Sequence, residues 1–497
     1  MIMHNLLSIT IWTPIVIGIL ILFIKNQSCI RWCAFFGALI GTIFSGLIFT
    51  KFNSTIPDLQ FVEHVPWIPS LHISYSLAID GISMPFLFLN NFITLLVIIG
   101  STKVIKHKVA LYNSMFLVMT GFISGTFCAM DMMLFYVFFE AMLIPMYLII
   151  GIWGSSNRVY AAIKFFLYTL MGSLLMLIAI IYLYNKSGYS FNIFSYYQLP
   201  LGFTPQILIF IAFFFAFAVK VPMWPVHTWL PDAHPEAPTG GSMVLAAITL
   251  KIGGYGFFRF ILPIVPDAAR AMSPIMITLS LIAIIYIGLV AIVQKDMKKL
   301  VAYSSISHMG FVTLSCFMYL NNNLNVWAME GAMVQMISHG FVSAAMFMCI
   351  GVMYDRIHSR NIVDYGGVAA KMPIFATFFL IFSMANAGLP GTSGFVGEFM
   401  VIMGAVQVNI IYGALAGLTL IIGAGYTLWM YKRTIFGNIT NPHVNAMKDL
   451  NYNEFAVLLL LLIGVIGMGV YPELFVHKMQ TGVENIIALA ARSKLGI

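Results

Sequence analysis

The sequence predicts an all-α polytopic membrane protein, and three observations lead to that class. Of the 497 residues 61% are hydrophobic, only 8% are charged, and the mean hydropathy is +0.95. Soluble domains carry about 25% charged residues, so this chain lacks the charge to solvate a water-facing surface. Apolar runs of about 20 residues, the length of a bilayer-spanning helix, recur along the chain. This composition excludes a disordered chain, a disulfide-rich secreted domain and a nucleic-acid-binding protein.

About fourteen apolar runs are predicted to span the membrane. They lie near residues 6–24, 33–50, 81–101, 109–130, 132–153, 162–184, 205–224, 241–262, 273–294, 300–320, 326–353, 373–403, 409–431 and 455–475. The first run is interpreted as a retained span, because it lacks the basic start and the cleavage site of a signal peptide. With the N-terminus outside, most of the 25 lysines and arginines fall in inner segments. This bias supports the orientation and an even number of spans.

The chain offers no signal for a cofactor or a metal. No predicted loop exceeds about thirty residues, so a soluble redox-centre domain has no place to fold. There is no phosphate-binding glycine loop and no Cys/His cluster with ligand spacing. The cysteines sit in or beside apolar runs and are predicted to be small buried side chains. They are Cys29, Cys33, Cys128, Cys316 and Cys349.

Six ionisable side chains lie inside otherwise apolar spans. A charge at the bilayer centre costs about 2.5–3.5 kcal/mol on insertion scales, so each of these groups needs a reason. One Glu–Lys pair could be structural, but six groups in six spans favour a path for charge transfer. Burial disfavours the charged forms of lysine and glutamate, and histidine titrates near neutral pH, so all six could relay protons. The six are Glu140, Lys220, Lys251, His308, His339 and Glu398.

Other polar residues leave alternatives open. Gln335, His339 and Ser343 share one helix face, which could either line a hydrated cavity or pack against another helix. Arg259 lies near a helix end, where we expect it to reach the interface and play a structural role. Asp131 and Glu330 fall at span ends, where we expect them to meet lipid headgroups.

The seventh and twelfth spans are predicted to be discontinuous. Pro222 and Pro225 follow Lys220, and Gly388, Pro390 and further glycines precede Glu398. Proline removes a backbone hydrogen bond, and unpaired backbone at membrane depth is tolerated only where protein or water covers it. A lone proline would indicate a simple kink. Two interrupted spans, five apart in order and each with an ionisable group, indicate two transporter repeats.

These repeats divide the chain into four parts. We expect helices 1–3 in residues 1–108, a first repeat of helices 4–8 in 109–262, and a second repeat of helices 9–13 in 263–433. Residues 434–497 hold the last helix and a tail. Because each repeat has five helices, an odd number, the two copies would be inverted.

Three long motifs carry a family resemblance. These motifs resemble the antiporter-like membrane subunits of respiratory complex I. They are the run from Lys220-Val-Pro-Met-Trp-Pro through Pro-Asp-Ala-His-Pro-Glu-Ala-Pro to Lys251, the run from Asp296 to His308, and Gln335-Met-Ile-Ser-His339. The resemblance covers essentially the whole chain. Glu398 is similar to the glutamate of the subunit M branch, whereas the sister subunits L and N generally carry lysine there.

The resemblance implies roles for the six residues. Glu140 and Lys220 would be the coupled pair of the first half, Lys251 the central bridging lysine, and His308 and His339 members of a hydrated axis. Glu398 would exchange the proton at the end of the second half. The family fold has fourteen helices with two inverted five-helix repeats. Glu236 departs from the common family pattern without disturbing these assignments.

The resemblance also implies partners, location and cofactors held elsewhere. The chain would be a subunit of a proton-translocating enzyme, flanked by subunits L and N in the lipid bilayer, with no nucleic acid. NADH, FMN, iron–sulfur clusters and quinone would bind partner subunits. A bacterial cytoplasmic membrane is expected, with the mitochondrial inner membrane as the alternative. Two other functions share the broken helices and the buried lysines: a multi-subunit cation/proton antiporter and a proton-pumping hydrogenase. A self-contained quinone reductase is a poorer alternative, because the sequence shows no convincing quinone pocket.

Overall fold

The computed structural model describes residues 5–495, and nearly all of its regular structure is helical. The first part of the chain forms α1 (Leu6–Ile21), α2 (Gln27–Lys51), α3 (Met84–Ser101), α4 (Val109–Cys128), α5 (Met132–Ala141), α6 (Leu143–Trp153), α7 (Arg158–Lys186), α8 (Ile193–Gln198), α9 (Phe203–Lys220), α10 (Leu230–Glu236), α11 (Thr239–Val244), α12 (Leu250–Gly256) and α13 (Leu262–Ile264). Two π-helical turns, Leu245–Thr249 and Phe257–Ile261, join α11, α12 and α13 into one long helix.

The second part of the chain is also helical. It forms α14 (Pro266–Ile282), α15 (Gly288–Ile292), α16 (Met297–Ser315), α17 (Val326–Ile357), α18 (Pro373–Asn386), α19 (Ser393–Val408), α20 (Ile410–Ile435), α21 (Pro442–Asn445), α22 (Tyr452–Val470) and α23 (Glu473–Ala491). A π-helical turn, Ala283–Ile287, joins α14 to α15. Short 3₁₀ turns occur at Pro69–Leu71, Ile362–Asp364 and Val368–Ala370.

Two antiparallel hairpins interrupt this helical pattern. Strand β1 (Gln60–Ile68) pairs with β2 (Ile73–Ile79), and the two-residue strands β3 (Tyr319–Leu320) and β4 (Asn323–Leu324) form a smaller hairpin. The first hairpin lies where the sequence predicted only a loop. It contacts α1 through Glu63, whose Oε1 accepts hydrogen bonds from the backbone N–H groups of Leu7 (2.8 Å) and Ser8 (3.2 Å). A carboxylate at this position satisfies N–H groups that the first helical turn leaves unpaired.

A helix lies at each of the fourteen predicted ranges, which confirms the all-helical membrane class. Within residues 5–495, eleven helical segments are long and apolar enough to cross a membrane, and α1, α18 and α19 are shorter apolar helices. The count of fourteen crossings stays a prediction. The apolar stretches of α17 and of the continuous helix Thr239–Ile264 are wholly buried, whereas those of α2, α20 and α22 are only 33% buried. The first two therefore form the centre of the molecule.

Both predicted interruptions are present. Helix α9 ends at Lys220 and the chain turns before α10 begins at Leu230. Helix α18 ends at Asn386 and α19 begins at Ser393. Between them Gly388 and Gly391 have φ angles of +79° and +89°, a backbone conformation that glycine adopts without strain.

Two sequence predictions are wrong in detail. Cys29 is exposed and Cys33 is half-buried, because their face of α2 at the edge of the molecule is not packed against other helices. Asp131 does not face headgroups, since only 3% of its surface is exposed. Its carboxylate accepts hydrogen bonds from the N–H groups of Met133 and Leu134 and thereby caps the start of α5.

Arg259 is structural, as predicted, but it does not reach the interface. Its guanidinium is buried, and Nη2 lies 2.7 Å from Asp80 Oδ1. The same carboxylate oxygen accepts hydrogen bonds from the N–H groups of Ile82 and Ser83 at 3.1 Å, just before α3. This buried ion pair therefore joins the start of α3 to the π-helical turn that contains Arg259.

Arg259→Met is expected to destabilise the protein by about 3–5 kcal/mol, because it leaves the Asp80 carboxylate buried without its cation. Thermal denaturation of the membrane-extracted protein, together with its yield, measures this loss. The double variant Arg259→Met/Asp80→Asn should recover part of it, since asparagine still caps α3 without a charge. The exposed Arg492→Met serves as the control. Equal stability of Arg259→Met and the control would contradict this account.

Candidate functional site

Lys251 lies at the centre of the molecule with no exposed surface. It follows the π-helical turn Leu245–Thr249, and its ammonium donates a hydrogen bond to the carbonyl oxygen of Ala246 at 2.6 Å. The same Nζ lies 2.7 Å from Nδ1 of His339 on α17. The two residues are 88 positions apart in the sequence, and the fold brings them into direct contact.

His308 and Glu398 form the second close pair. Nδ1 of His308 on α16 lies 2.8 Å from Oε1 of Glu398 on α19, and both side chains are buried. Gln335 Nε2 donates to the same carboxylate oxygen at 3.4 Å, and the Tyr426 hydroxyl lies 3.4 Å from His308 Nε2. A Cβ atom on Gly388 would lie 3.0 Å from Glu398 Oε2. Glycine therefore lets the interrupted backbone approach the carboxylate closely.

The two pairs join into one row. The ring centroids of His308 and His339 are 5.8 Å apart, so Lys251, His339, His308 and Glu398 follow one another across four helices. A cavity of about 10 Å³ lies along this row, which is room for about one water molecule. Its lining includes Gln335 together with both histidines and Glu398. The Gln335–His339 stripe therefore borders a cavity.

Glu140 and Lys220 form a separate group in the first half. Lys220 is the last residue of α9, and its buried Nζ lies 5.0 Å from the ring centroid of Phe139 and 5.7 Å from that of Phe165. Glu140 on α5 is near enough to interact with it electrostatically. Among the described residues, neither Lys220 Nζ nor Glu140 Oε1 has a hydrogen-bond partner. Lys220 therefore carries a costly buried charge in the described structure, and the half-buried Glu140 is the acid that interacts with it.

Close packing links the helices that carry the two groups. A Cβ atom on Gly253 would lie 2.7 Å from the Phe217 carbonyl oxygen and 2.7 Å from the Val221 nitrogen. Glycine at this position lets the end of α9, with Lys220, approach α12, with Lys251. Across residues 5–495 no direct hydrogen bond links Lys220 to Lys251.

Two further buried ionisable residues, His234 and Lys298, were not among the six predicted site residues. His234 on α10 stacks on Phe347 with ring centroids 4.5 Å apart, and neither of its ring nitrogens has a partner among the described side chains. It interacts electrostatically with Lys251 and Lys298. His234 and Lys298 both lie between predicted spans, so the hydropathy pattern gave no signal for them. The Pro-Asp-Ala-His-Pro-Glu motif, which lies between two buried lysines, was the available clue.

The described part of the chain holds no group of three or more His, Cys, Asp or Glu side chains that could bind a metal ion. The carboxylate, ammonium and imidazole groups of the site can each gain and lose a proton. Their arrangement allows a proton to pass between neighbours within hydrogen-bond reach at Lys251–His339 and His308–Glu398.

Comparisons with known proteins agree with this architecture. A family described as "NADH:quinone oxidoreductase/Mrp antiporter, TM" matches residues 129–423. The NADH-quinone oxidoreductase subunit M of Rhodobacter capsulatus is 44% identical over 504 residues, covering 98% of this chain and 97% of that protein. The NADH-ubiquinone oxidoreductase chain 4 of Marchantia polymorpha is 44% identical over 487 residues, covering 97% of each chain. A chain of respiratory complex I from Thermus thermophilus superimposes with a TM-score of 0.87 at 29% identity, covering 97% of this chain and 99% of that one.

Proposed function

Because the chain belongs to the NADH:quinone oxidoreductase/Mrp antiporter membrane family, we propose that it is the subunit M type, proton-translocating membrane subunit of an NADH:quinone oxidoreductase. The observation that carries this proposal is the buried row Lys251–His339–His308–Glu398. Electron transfer from NADH to quinone takes place in other subunits of the enzyme. This chain moves the protons.

In this proposal Glu140 controls the proton on Lys220. A charged Glu140 stabilises the Lys220 ammonium electrostatically. When Glu140 becomes neutral, that stabilisation is lost and Lys220 releases its proton toward the middle of the membrane. The absence of a protein hydrogen-bond partner for Lys220 Nζ among the described residues supports this role, because the ammonium is free to pass its proton on.

The central row carries a proton through the second half. Lys251 passes it to His339 across 2.7 Å, the two tilted imidazole rings are 5.8 Å apart, and His308 passes it to Glu398 across 2.8 Å. Glu398 lies beside the interruption between α18 and α19, and residues on both sides of that interruption line the 10 Å³ cavity. Irregular backbone at membrane depth is characteristic of ion pathways in transporters. We therefore propose Glu398 as the exchange residue of this half.

The wider assignments follow from the same proposal. Residues 109–262 and 263–433 form the two inverted repeats, preceded by 1–108 and followed by 434–497. Subunits L and N flank the chain, and NADH, FMN, iron–sulfur clusters and quinone bind partner subunits. The protein is multi-pass, and we propose the bacterial cytoplasmic membrane as its location.

Purification of the intact complex and its reconstitution into vesicles test this function. NADH-oxidising and iron–sulfur subunits should co-purify, and NADH with a soluble quinone should drive proton movement in sodium-free buffer. Proton movement is expected because every group in the row can bind and release a proton. A pH-sensitive dye in the vesicle lumen reports the movement. Co-purification with antiporter or hydrogenase subunits alone, or transport that requires sodium, would contradict the proposal.

A further inference from the structure

A cavity of about 180 Å³ lies at the inner ends of α3, α4, α16, α17 and α22. Inner denotes the side that carries most of the lysines and arginines, and Lys103 and Arg356 border this region. The cavity can hold several water molecules. Four ionisable side chains line it: Glu236, Lys298, Asp355 and Glu454.

Lys298 is the buried cation of this cavity, with 3% of its surface exposed. Its Nζ donates a hydrogen bond to the carbonyl oxygen of Ala237 at 2.7 Å. Two nearby carboxylates are already engaged, because Arg360 lies 3.1 Å from Asp296 Oδ2 and 3.5 Å from Glu236 Oε1. Lys298 forms no ion pair with any described residue.

Asp355 is the unpaired acid of the cavity. The neighbouring Glu454 is held by Arg356 at 2.9 Å, whereas Asp355 forms no hydrogen bond or ion pair within residues 5–495. Its carboxylate is half-buried and interacts electrostatically with Lys298. The other charged or titratable groups that face it are Tyr112, Arg356, His358, Tyr365 and Glu454.

The imidazole of His234 is fully buried, and neither ring nitrogen has a hydrogen-bond partner among the described residues. It interacts electrostatically with Lys298 on one side and with Lys251 on the other. His339, the next residue of the central row, is also among its electrostatic neighbours. Lys298 and Asp355 thus line one cavity, and the fully buried His234 interacts electrostatically with both Lys298 and the central Lys251.

We propose that Asp355 and Lys298 form the proton-uptake relay through which this subunit loads Lys251 from the inner side. Asp355 takes a proton from cavity water and passes it to the neutral amine of Lys298. The Lys298 ammonium then gives a proton to a ring nitrogen of His234, which passes its own proton to Lys251. Each transfer leaves the donor ready to be reprotonated from the cavity. This relay rests on the proposed function.

A purely structural role for Lys298 is the competing explanation. Ala237 follows the last residue of α10, and a cation on that carbonyl oxygen would stabilise the helix end. Arginine can replace lysine in that role, because it carries the same charge and donates hydrogen bonds. Arginine cannot release its proton in a protein, so it cannot replace lysine in a relay.

The deciding variants are therefore Lys298→Arg and Lys298→Met in the assembled complex. Both are expected to lower coupled proton pumping and quinone reduction on the order of tenfold to a hundredfold, the low end of what a positioned proton-transfer group contributes. Lys299→Met, which changes the adjacent half-buried lysine, should leave both rates unchanged. Native gels establish that each variant assembles. Wild-type pumping by Lys298→Arg would overturn the relay and leave a structural role.

Asp355 gives an independent test through the pH dependence. In Asp355→Asn the cavity lacks its proton collector, so uptake limits turnover where protons are scarce. As the pH is raised, the pumping rate should then begin to decline at a lower pH than in the unchanged complex. Asp355→Glu should restore the original pH profile. Asp58→Asn, at an exposed position on the opposite side, should not alter it. A profile for Asp355→Asn identical to that of the unchanged complex would refute the collector role.

Glu140→Gln separates failure of this relay from failure of the proposed function. If Glu140→Gln abolishes pumping while Lys298→Arg and Asp355→Asn pump normally, the function stands and protons enter elsewhere. If Glu140→Gln also pumps normally, the proposed function itself is wrong.

Discussion

Replacing Glu140 by glutamine is expected to abolish proton pumping and NADH-linked quinone reduction together. Glutamine keeps the shape of the side chain but can neither bear a negative charge nor exchange a proton. Lys220, buried between two aromatic rings, then loses the charge that stabilises its ammonium. We expect a loss of about 10²–10⁴-fold, the contribution of a positioned proton-transfer group. Quinone reduction falls as well, because the two processes are coupled.

Inverted membrane vesicles provide the measurement for this first variant. Dye quenching reports pumping, and NADH oxidation with added quinone reports electron transfer in the same sample. Lys220→Met should behave in the same way as Glu140→Gln. The control is Glu330→Gln, because Glu330 is a half-buried acid on α17 outside both groups. Normal pumping in Glu140→Gln with full assembly would contradict the assigned pair.

Replacing Glu398 by glutamine is expected to stop the second half of the pathway. The variant removes the acceptor that lies 2.8 Å from His308 Nδ1, although an amide can still occupy the site. A proton that reaches His308 then has no titratable group to receive it. Pumping should fall by about 10²–10⁴-fold, with quinone reduction falling in parallel.

Conservative variants separate charge from shape at this position. Glu398→Asp keeps a titratable carboxylate at a greater distance from His308, so it should retain part of the activity. Tyr426→Phe removes only the weaker 3.4 Å contact to His308 and should have little effect. If Glu398→Gln pumped as well as Tyr426→Phe, Glu398 would not be an exchange residue.

The sequence predicted the helices and the six ionisable side chains within them, of which only Glu140 is half-buried rather than buried, for one physical reason. A lysine, glutamate or histidine in an apolar run of about 20 residues stands out, because charge in a bilayer is costly. Proline and glycine next to Lys220 and Glu398 likewise revealed the two interruptions.

The pairing of these groups could not be read from the sequence. Lys251 meets His339, and His308 meets Glu398, only because four helices pack around one centre. Arg259 illustrates the same limit, since its partner Asp80 is 179 residues away and lies outside any apolar run. His234 and Lys298 were missed because they lie between spans, where charged residues are unremarkable.

The central claim is that protons cross this subunit by exchange among its buried carboxylate, ammonium and imidazole groups. Its most direct test records proton pumping and quinone reduction in the same vesicles for Glu140→Gln, Lys220→Met and Glu398→Gln, singly and combined. We predict that both activities fall together in every variant, while NADH oxidation by an artificial electron acceptor remains. Full pumping with all three groups neutralised would contradict the claim.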